Sequence, residues 1–412
     1  MKLFPYQSAG VERLLRGNCL LADEMGLGKT VQALVAAFRG GYRQITVVCP
    51  LAAVGVWQEH VAMLSDPSSG GVTIVPYSRL AQCPIKGSLL ICDEFHYCKN
   101  RKALRTKAIK RIAKGYGTVW GLTGTPYVNH AADYWAMLNI LYPKDFKSYW
   151  KYVDLWCCFE FSPFTAMHKK LLPGAKDPIR FSAMLEKYVL RRTKEQVGLE
   201  LPKVTEVVRH IEMTHSQKAY HKQALKDILL EMESKHWILP NAAVAYTRAR
   251  QIAIDPRILG AKEGGGKIPM LRDMCEEGER VIVFSEFVEA LKLAHEVYPG
   301  YLYHGGLSEN QRKALLQSWR CDPELKPLYM SRAAGGIALT LTESATCVFL
   351  DEPWTSTDRE QAIGRLDRIG QTKPVTVYSL RSVGSVEEHV IDLQTGKRDA
   401  IAAVHDRLLK GL

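Results

Sequence analysis

The stretch Asp23-Glu24-Met25-Gly26-Leu27-Gly28-Lys29-Thr30 follows the apolar run Cys19–Ala22 and precedes a helix-compatible segment. This order predicts a strand, a phosphate-binding loop and a helix. Glycines let backbone N–H groups turn toward a triphosphate, and the start of the helix adds positive potential. Lys29 is predicted to neutralise the β- and γ-phosphate oxygens, and the Thr30 hydroxyl to bind Mg²⁺. Asp23 stands where the usual G-x-x-x-x-G-K-T pattern has its first glycine.

An acidic pair follows the apolar run Leu89–Cys92. Asp93 is predicted to hold Mg²⁺, directly or through water, and Glu94 to polarise the attacking water. A strand-terminal Asp-Glu pair is common, but placed after a phosphate loop it indicates a site of nucleotide hydrolysis. A further apolar strand ends in residues 123–126, Thr-Gly-Thr-Pro, which are predicted to sense the γ-phosphate. A plain exit from strand to turn is the structural alternative for that motif.

The segment Gln361–Gln371 contains two arginines three residues apart, Arg365 and Arg368. This spacing predicts that they share one helix face. Aimed across a cleft at a triphosphate, they would stabilise the charge that develops during phosphoryl transfer. Without the other motifs, they would be interpreted as surface arginines.

Two blocks of short apolar strands alternate with helical stretches, which predicts an α/β fold with parallel sheets covered on both faces. The strands are predicted at 45–49, 89–92, 118–122, 280–284, 301–303, 328–331, 347–350 and 375–380. Between the blocks, residues 130–255 turn helical and rich in aromatic residues. Packed helix core is favoured for these aromatics over a base-stacking platform. The members of this aromatic group are Tyr134, Trp135, Phe146, Trp150 and Trp156. Gly264–Gly266 is the strongest linker signal.

Length and composition indicate a soluble protein with two domains, because 412 residues exceed one ordinary core. No apolar run approaches the roughly 20 residues that span a bilayer. The start, Met1–Pro5, resembles no export signal. The ten cysteines never form C-x-x-C and lie mostly in apolar segments, which favours buried free thiols in a reducing compartment. We expect a cytoplasmic, DNA-associated protein.

The charge distribution points to a polyanionic partner. The net charge is +12, and part of it forms a run without any acid between residues 99 and 114. Two interpretations are open: a solvated helix face, or a surface that contacts phosphates. The run consists of Lys99, Arg101, Lys102, Arg105, Lys107, Lys110, Arg111 and Lys114.

Together these motifs resemble the Snf-type, chromatin-remodeller-like ATPases of helicase superfamily two, over nearly the whole chain and in the expected order. Asp23 is usual in that family. The matching segments are 4–7, 23–30, 48–51 with Trp57, 93–96 with 99–100, 123–126, 189–194, 283–285, 304–306, 332–342, Trp354 and 361–371.

The resemblance implies two RecA-like lobes with helical insertions between them, and ATP and Mg²⁺ as cofactors. Arg365 and Arg368 would be arginine fingers, completing a catalytic set with Lys29, Asp93 and Glu94. Duplex DNA would be gripped mainly through its phosphates, so that the motor steps along any sequence. ATP binding would close the cleft between the lobes, and hydrolysis would reopen it. The implied nucleotide-binding residues are Gln7, Gly26, Gly28, Lys29, Thr30, Gly336 and Gln361, with Thr30 and Asp93 on the metal.

The predicted domains are an N-terminal lobe at 1–200 with a helical insertion at about 130–190, a helical insertion and linker at 201–265, and a C-terminal lobe with a C-terminal helix at 266–412. The chain resembles a nearly bare, monomeric motor, and a protein partner that targets it stays open. It departs from the family pattern at Phe95, Ala338, Gly364 and Asp367. Each departure is expected to affect the coupling of hydrolysis to movement rather than the chemistry.

Three functions are compatible with these features. The first is an ATP-dependent translocase on double-stranded DNA. The second is a strand-separating or annealing motor on forks or RNA, which differs by a wedge that no motif identifies. The third is a catalytically silent scaffold, which would be marked by loss of a catalytic residue; all five are present. A nuclease is disfavoured, because the other strand-end acidic pair, Asp351-Glu352, precedes Pro353-Trp354 and fits family structure better.

Overall fold

The computed structural model describes residues 2–65, 71–124, 130–162, 165–233, 239–332 and 339–388. The described chain forms two compact units, which divide after Glu200. We call them the N-lobe and the C-lobe. Each contains a six-stranded parallel sheet with α-helices. The predicted α/β class with a parallel sheet in each of two lobes is therefore confirmed, whereas the predicted domain boundaries stay a proposal.

The N-lobe sheet has the strand order β3-β2-β4-β5-β1-β8, and every neighbouring pair is parallel. Its strands are β1 (Cys19–Leu21), β2 (Gln44–Cys49), β3 (Gly71–Pro76), β4 (Gly87–Cys92), β5 (Tyr116–Leu122) and β8 (Val189–Leu190). The helices are α1 (Pro5–Leu15), α2 (Lys29–Arg39), α3 (Val54–Leu64), α4 (Leu104–Ala113), α5 (Ala132–Leu141), α6 (Tyr149–Trp156) and α7 (Pro178–Leu185). Strands β6 (Cys157–Ser162) and β7 (Thr165–Ala175) form a separate antiparallel hairpin.

The central strands of the N-lobe are continuous apolar runs because helices cover both faces of the sheet. Residues 89–92 of β4, for example, are completely buried. The carboxyl ends of β1, β4, β5 and β8 lie at one edge of the sheet, since all four strands are parallel. Ligands of open α/β sheets bind at this edge, and the predicted loop, acidic pair and Thr-Gly motif all follow these strands.

The C-lobe sheet has the strand order β11-β12-β10-β13-β14-β9, again with parallel neighbours. Its strands are β9 (Val204–Ile211), β10 (Val281–Ser285), β11 (Tyr301–Tyr303), β12 (Leu328–Ser331), β13 (Thr346–Phe349) and β14 (Val375–Ser382). The helices are α8 (His215–Glu233), α9 (Leu239–Ile254), α10 (Lys267–Glu276), α11 (Val288–Val297), α12 (Glu309–Cys321) and α13 (Ser356–Ile363).

Two segments predicted to be helical contain strands as well. Residues 201–265 begin with β9, which pairs with β14 along its whole length, and the insertion at 130–190 contains the β6–β7 hairpin. Strand β9 lies at the sheet edge and is mostly exposed, so it carries charged residues such as Glu206 and Arg209 instead of an apolar run. Gly264–Gly266, predicted as a linker, is a packed turn within the C-lobe. A Cβ added at Gly265 would lie 2.8 Å from the Gln217 Nε2 atom.

The aromatic residues between the two blocks pack mostly into the core, as predicted. Tyr134, Trp135, Phe146 and Trp156 are buried, whereas Trp150 is 53% exposed. Trp150 is therefore the exception to the packed-core interpretation.

A fully buried ion pair fixes the chain around the C-lobe sheet. The Lys267 ammonium donates to both Glu387 carboxylate oxygens, at 2.7 and 2.8 Å, and to the Leu350 carbonyl at 2.7 Å. Glu387 also accepts from the Ser382 backbone N–H at 3.0 Å. Removing one partner of such a pair is costly, because the other charge stays buried. The pair thereby holds α10 against the ends of β13 and β14.

All ten cysteines are free thiols, and eight of them are buried. None of the helices in the described ranges combines the length and the apolar character needed to cross a membrane.

Candidate nucleotide site

The predicted phosphate loop connects β1 to α2, and its glycines take backbone conformations that other residues avoid. Gly26 has φ 90° and Gly28 has φ 73°, both in the left-handed region. A Cβ added at Gly28 would lie 2.6 Å from the Gln7 Nε2 atom. The loop therefore packs against Gln7 and leads directly into the start of α2, at Lys29. Thr30 is the second residue of that helix.

The Lys29 side chain folds under this loop. Its ammonium donates to the carbonyls of Asp23, at 2.6 Å, and Glu24, at 3.1 Å. Burial lowers the pKa of Lys29, and the charges of Glu94, Asp23 and Asp93 oppose this shift. An ammonium held by neutral carbonyls in a buried place is positioned to exchange them for anionic oxygens, which bind it more strongly.

Asp93 directly follows β4, and three donors hold it. The Trp57 indole N–H donates to Oδ2 and the Glu94 backbone N–H to Oδ1, each at 2.9 Å, while the Tyr77 hydroxyl donates to the Asp93 carbonyl at 2.8 Å. Burial and the charge of Glu94 raise the pKa of Asp93 to about 6. The sequence analysis gave Trp57 no role and did not point to Tyr77, because neither residue lies near Asp93 in the chain.

Glu94 takes a strained conformation beside Asp93. Its φ of 45° lies in the left-handed region, which is uncommon for residues other than glycine. Its Oε2 atom is buried and forms no hydrogen bond, although His96 Nδ1 lies 3.1 Å away. The same Nδ1 lies 3.1 Å from the Thr123 hydroxyl. The acidic box thus reaches the end of β5, as a phosphate sensor would require.

The Thr-Gly motif after β5 also lies against the phosphate loop. A Cβ added at Gly124 would lie 3.5 Å from the Lys29 Nζ atom. Arg191, after β8, donates to the carbonyls of both Ala22 and Gly124, at 3.2 and 3.4 Å. Thr125 and Pro126 lie outside the described residues.

The structure explains why Asp23 replaces the usual glycine. The Arg192 guanidinium donates to both Asp23 carboxylate oxygens, at 2.9 and 2.5 Å, and to the Gln32 side chain at 3.0 Å. The Glu24 carboxylate also accepts a hydrogen bond, from the Lys194 backbone N–H at 2.9 Å. Both acids of the loop are thus bound by the chain that follows β8. The matching segment 189–194 had no assigned role, and this clamp gives it one.

The described residues fit ATP with Mg²⁺. Asp93 and Glu94 place two carboxylates in a buried site, and one Glu94 oxygen has no hydrogen-bond donor. Such a site favours a divalent cation, which supplies the missing positive charge. Gln7 lies beside the loop, with its Nε2 donating to the Leu27 carbonyl at 3.4 Å and its Oε1 accepting from the Phe4 N–H at 3.1 Å.

The two predicted arginine fingers lie in the C-lobe, and their local structure differs from the prediction. Helix α13 ends at Ile363, so Arg365 and Arg368 lie in the following turn and do not share a helix face. After the helix the chain forms a tighter turn, in which the N–H groups of Arg365 and Leu366 donate to the carbonyls three residues before them, at 3.3 and 2.9 Å. The Leu341 N–H donates to the Arg365 carbonyl at 2.9 Å, and the Gln371 amide to the Leu366 carbonyl at 3.3 Å.

Neither guanidinium is fully exposed on the lobe. Arg365 packs 5.7 Å from the Phe284 ring centre, its Nη1 donates to the Met330 sulfur at 3.3 Å, and its Nε is buried without a hydrogen-bond partner. Burial lowers the pKa of Arg365 to about 10. Arg368 donates to the Leu339 carbonyl at 3.1 Å. Gln361 lies on α13, partly buried, and Gly336 lies outside the described residues.

The structure therefore brings together the predicted residues of the N-lobe. Gln7, Gly26, Gly28, Lys29, Thr30, Asp93 and Glu94 all belong to the carboxyl edge of its sheet or to the elements beside that edge. Arg365, Arg368 and Gln361 belong to the C-lobe, in the loop and helix between β13 and β14.

A buried arginine that the sequence did not point to organises the carboxyl edge of the C-lobe sheet. Arg250, from α9, donates to Glu286 at 2.9 Å, to Asp351 at 3.0 Å and to the Glu352 carbonyl at 2.8 Å. Asp351 also accepts from the Ser285 hydroxyl at 2.5 Å, and burial raises its pKa to about 6. The Asp351-Glu352 pair is thus used in a structural network, as predicted for this pair.

Comparison with known proteins agrees with this geometry. Residues 6–75 and 72–258 match the SNF2-related domain, and residues 266–370 match the helicase conserved C-terminal domain. Chromodomain-helicase-DNA-binding protein 6 of Mus musculus is 26% identical over 95% of this chain and 17% of its own length. Chromodomain-helicase-DNA-binding protein 1-like of Mus musculus is 27% identical over 95% and 48%, respectively. The Sulfolobus solfataricus SWI2/SNF2 ATPase core in complex with dsDNA aligns over 99% of this chain and 94% of its own, with 23% identity and a TM-score of 0.43.

A phosphate loop facing an acidic box at the carboxyl edge of a RecA-like sheet defines a nucleotide-hydrolysing enzyme. The chain belongs to the SNF2-related family, and its class is that of the helicase-like ATPases. It spans less than half the length of the two curated relatives named above. The cytoplasmic location stays a prediction.

Proposed function

We propose that this protein is an ATP-driven translocase on double-stranded DNA, with ATP and Mg²⁺ as cofactors. The observation that carries the proposal is the meeting of Lys29, Asp93 and Glu94 at one sheet edge, in a chain whose C-lobe supplies Arg365 and Arg368. The names of its relatives, which include helicase and DNA-binding, support the choice of polymer. A monomeric state and a protein partner that targets the motor are further predictions.

In this mechanism the N-lobe residues bind and orient the triphosphate. Gln7 recognises the base, the backbone N–H groups at Gly26 and Gly28 cradle the phosphates, and Lys29 balances their charge. When bound, Mg²⁺ neutralises the phosphate oxygens, and Thr30 and Asp93 would hold it. Glu94 orients the attacking water, for which its buried carboxylate, one oxygen of which accepts no hydrogen bond, is available.

The C-lobe residues complete the nucleotide site in this proposal. Arg365 and Arg368 stabilise the charge that develops on the transferred phosphoryl group. Gly336 and Gln361 are proposed as additional nucleotide contacts. Closure of the lobes on ATP and their reopening after hydrolysis would then move the grip on DNA from one phosphate position to the next.

The basic run at 99–114 suits a phosphate contact of the N-lobe. Six of its eight cations are exposed on the surface around α4, and none forms an ion pair with another described residue. Backbone phosphates are the same in every sequence, so contacts to them suit a motor that steps along any duplex.

Neutralising Lys102, Arg105 and Lys107 together, each to glutamine, is expected to flatten the salt dependence of DNA binding. Each lost phosphate contact makes the slope of log K against log salt less negative by about 0.9, so three contacts change it by about 2.7. Binding to a fluorescent duplex at several salt concentrations measures this slope. The matched control neutralises three other cations of the same lobe, namely Lys169 and Lys170 of β7 and Lys176, the residue that follows this strand. Equal slopes for the wild type and the triple variant would mean that these residues contact no phosphates and that the run is a solvated helix face.

ATPase measurements with a panel of nucleic acids test the proposed function. Strong stimulation by blunt duplex DNA is expected, with weaker effects of single strands and RNA. Displacement of a third strand from a triplex, without unwinding of forks, would support translocation. Unwinding of forks without triplex displacement would favour the strand-separating or annealing motor. Absence of hydrolysis with every polymer would leave the silent scaffold.

A further inference from the structure

A graded row of aromatic rings leads from the N-lobe core to the surface. The Trp135 and Tyr149 ring centres are 5.2 Å apart, and those of Tyr149 and Trp150 are 5.1 Å apart, both pairs edge to face. Trp135 is 8% exposed and Trp150 is 53% exposed. The buried Trp135 anchors the row in the core, and Trp150 presents its ring to solvent at the other end.

Cations of the basic run lie on the same rings. The Arg101 guanidinium carbon is 4.1 Å from the Tyr149 ring centre and 5.9 Å from that of Trp150, and the Lys110 ammonium is 5.9 Å from that of Trp135. Cation–π contacts of this length attract a charge to the ring face. Neither cation forms an ion pair with any residue in the described ranges. The exposed indole therefore lies beside cations of the basic run.

This combination selects the chemistry of the partner. The cations of the basic run favour a polyanion, and a flat exposed indole favours a flat partner that stacks on it. An unpaired DNA base next to its own phosphates offers both groups, whereas the bases of an intact duplex are already stacked on each other. Proteins that bind single strands combine a basic groove with aromatic stacking of this kind.

We propose that Trp150, with Arg101 beside it, stacks an unpaired base of DNA, so that the N-lobe recognises a junction between duplex and single strand. This inference rests on the proposed function, because it names the DNA feature that the motor would prefer. The sequence favoured a core position for all the aromatic residues of this group, but Trp150 is exposed and its ring is accessible to a partner.

Binding of Trp150→Ala to two DNA molecules tests the proposal. One is a blunt duplex, and the other is the same duplex with an unpaired tail that carries 2-aminopurine at the first unpaired position. Loss of one stacked base is expected to weaken binding to the tailed DNA roughly 5- to 100-fold, with less than about twofold change on the blunt duplex. The wild type is expected to alter the 2-aminopurine fluorescence, and the alanine variant to leave it unchanged. Trp150→Phe, which keeps a flat ring, is expected to retain most of the binding.

Phe161→Ala is the matched control, because it removes another exposed aromatic of the same lobe, 59% exposed. It is expected to bind both DNA molecules like the wild type. Equal weakening of Trp150→Ala on both DNA molecules, or no weakening on either, would overturn the stacking proposal. If DNA fails to stimulate the wild-type ATPase, the proposed function itself fails. If DNA stimulates the wild-type ATPase but Trp150→Ala binds the tailed DNA like the wild type, only the stacking site is rejected.

Discussion

Replacement of Lys29 by alanine is expected to abolish ATP turnover, with a loss on the order of 10³-fold or more. The Lys29 ammonium is held under the phosphate loop by the Asp23 and Glu24 carbonyls and faces the charges of Asp93 and Glu94. Without it, the triphosphate would meet two buried carboxylates with no cation from the loop. Phosphate release measures turnover, and titration with a fluorescent ATP analogue measures binding.

Glu94→Gln separates binding from hydrolysis. The amide keeps the size of the side chain but cannot take up a proton from water, so this variant is expected to bind ATP and not to hydrolyse it.

The control for Lys29→Ala is Lys144→Ala, which removes an exposed lysine of the same lobe and is expected to turn over ATP normally. Turnover like that of the wild type in Lys29→Ala would refute the assignment of the phosphate loop.

The parts of the site that the sequence predicted are encoded locally. A strand, two glycines, a lysine and the start of a helix are contiguous in the chain, so their arrangement follows from backbone geometry. The position of the acidic pair also follows from local sequence, because the pair comes directly after a buried strand. Parallel strands bring such ends to one edge whatever the rest of the chain does.

The contacts that depend on tertiary packing were not predictable in this way. Trp57, on α3, donates to Asp93, which is 36 residues away in the chain. Arg192 donates to Asp23, which is 169 residues away. No periodic pattern links such pairs. Asp23 departs from the general phosphate-loop pattern, and its guanidinium partner gives the physical reason for an acid there.

Edge strands and helix ends were the weakest part of the sequence interpretation. Strand β9 lacks an apolar run because an edge strand needs only partial burial, and its pairing with β14 spans more than 160 residues. Beyond the end of α13, the Leu341 N–H and the Gln371 amide donate to the Arg365 and Leu366 carbonyls, so contacts from outside the helix hold the turn there. Such contacts are a property of the folded lobe and leave no signal in the helix itself.

Replacement of Arg368 by alanine is expected to lower turnover on the order of 10³-fold, as for other arginine fingers. Arg365 allows a sharper version of the test, because its buried guanidinium is poorly satisfied. Its Nε has no hydrogen bond and its Nη1 bonds to the Met330 sulfur, which is a weak acceptor. Burying a charge without good partners costs stability, so the lobe gains little by keeping this arginine for structure alone.

Arg365→Met keeps the apolar volume and removes the charge. It is expected to leave the free energy of unfolding unchanged or to raise it, as replacement of buried charges by packed apolar groups often does, while turnover falls as far as in Arg368→Ala. Denaturant unfolding and phosphate release on the same preparation measure both effects. Arg272→Ala, an exposed arginine of the C-lobe whose side chain is 48% accessible, serves as the control. Hydrolysis at the wild-type rate in both variants would remove the two arginines from the mechanism, and a matching loss of stability in Arg365→Met would give that residue a structural role instead.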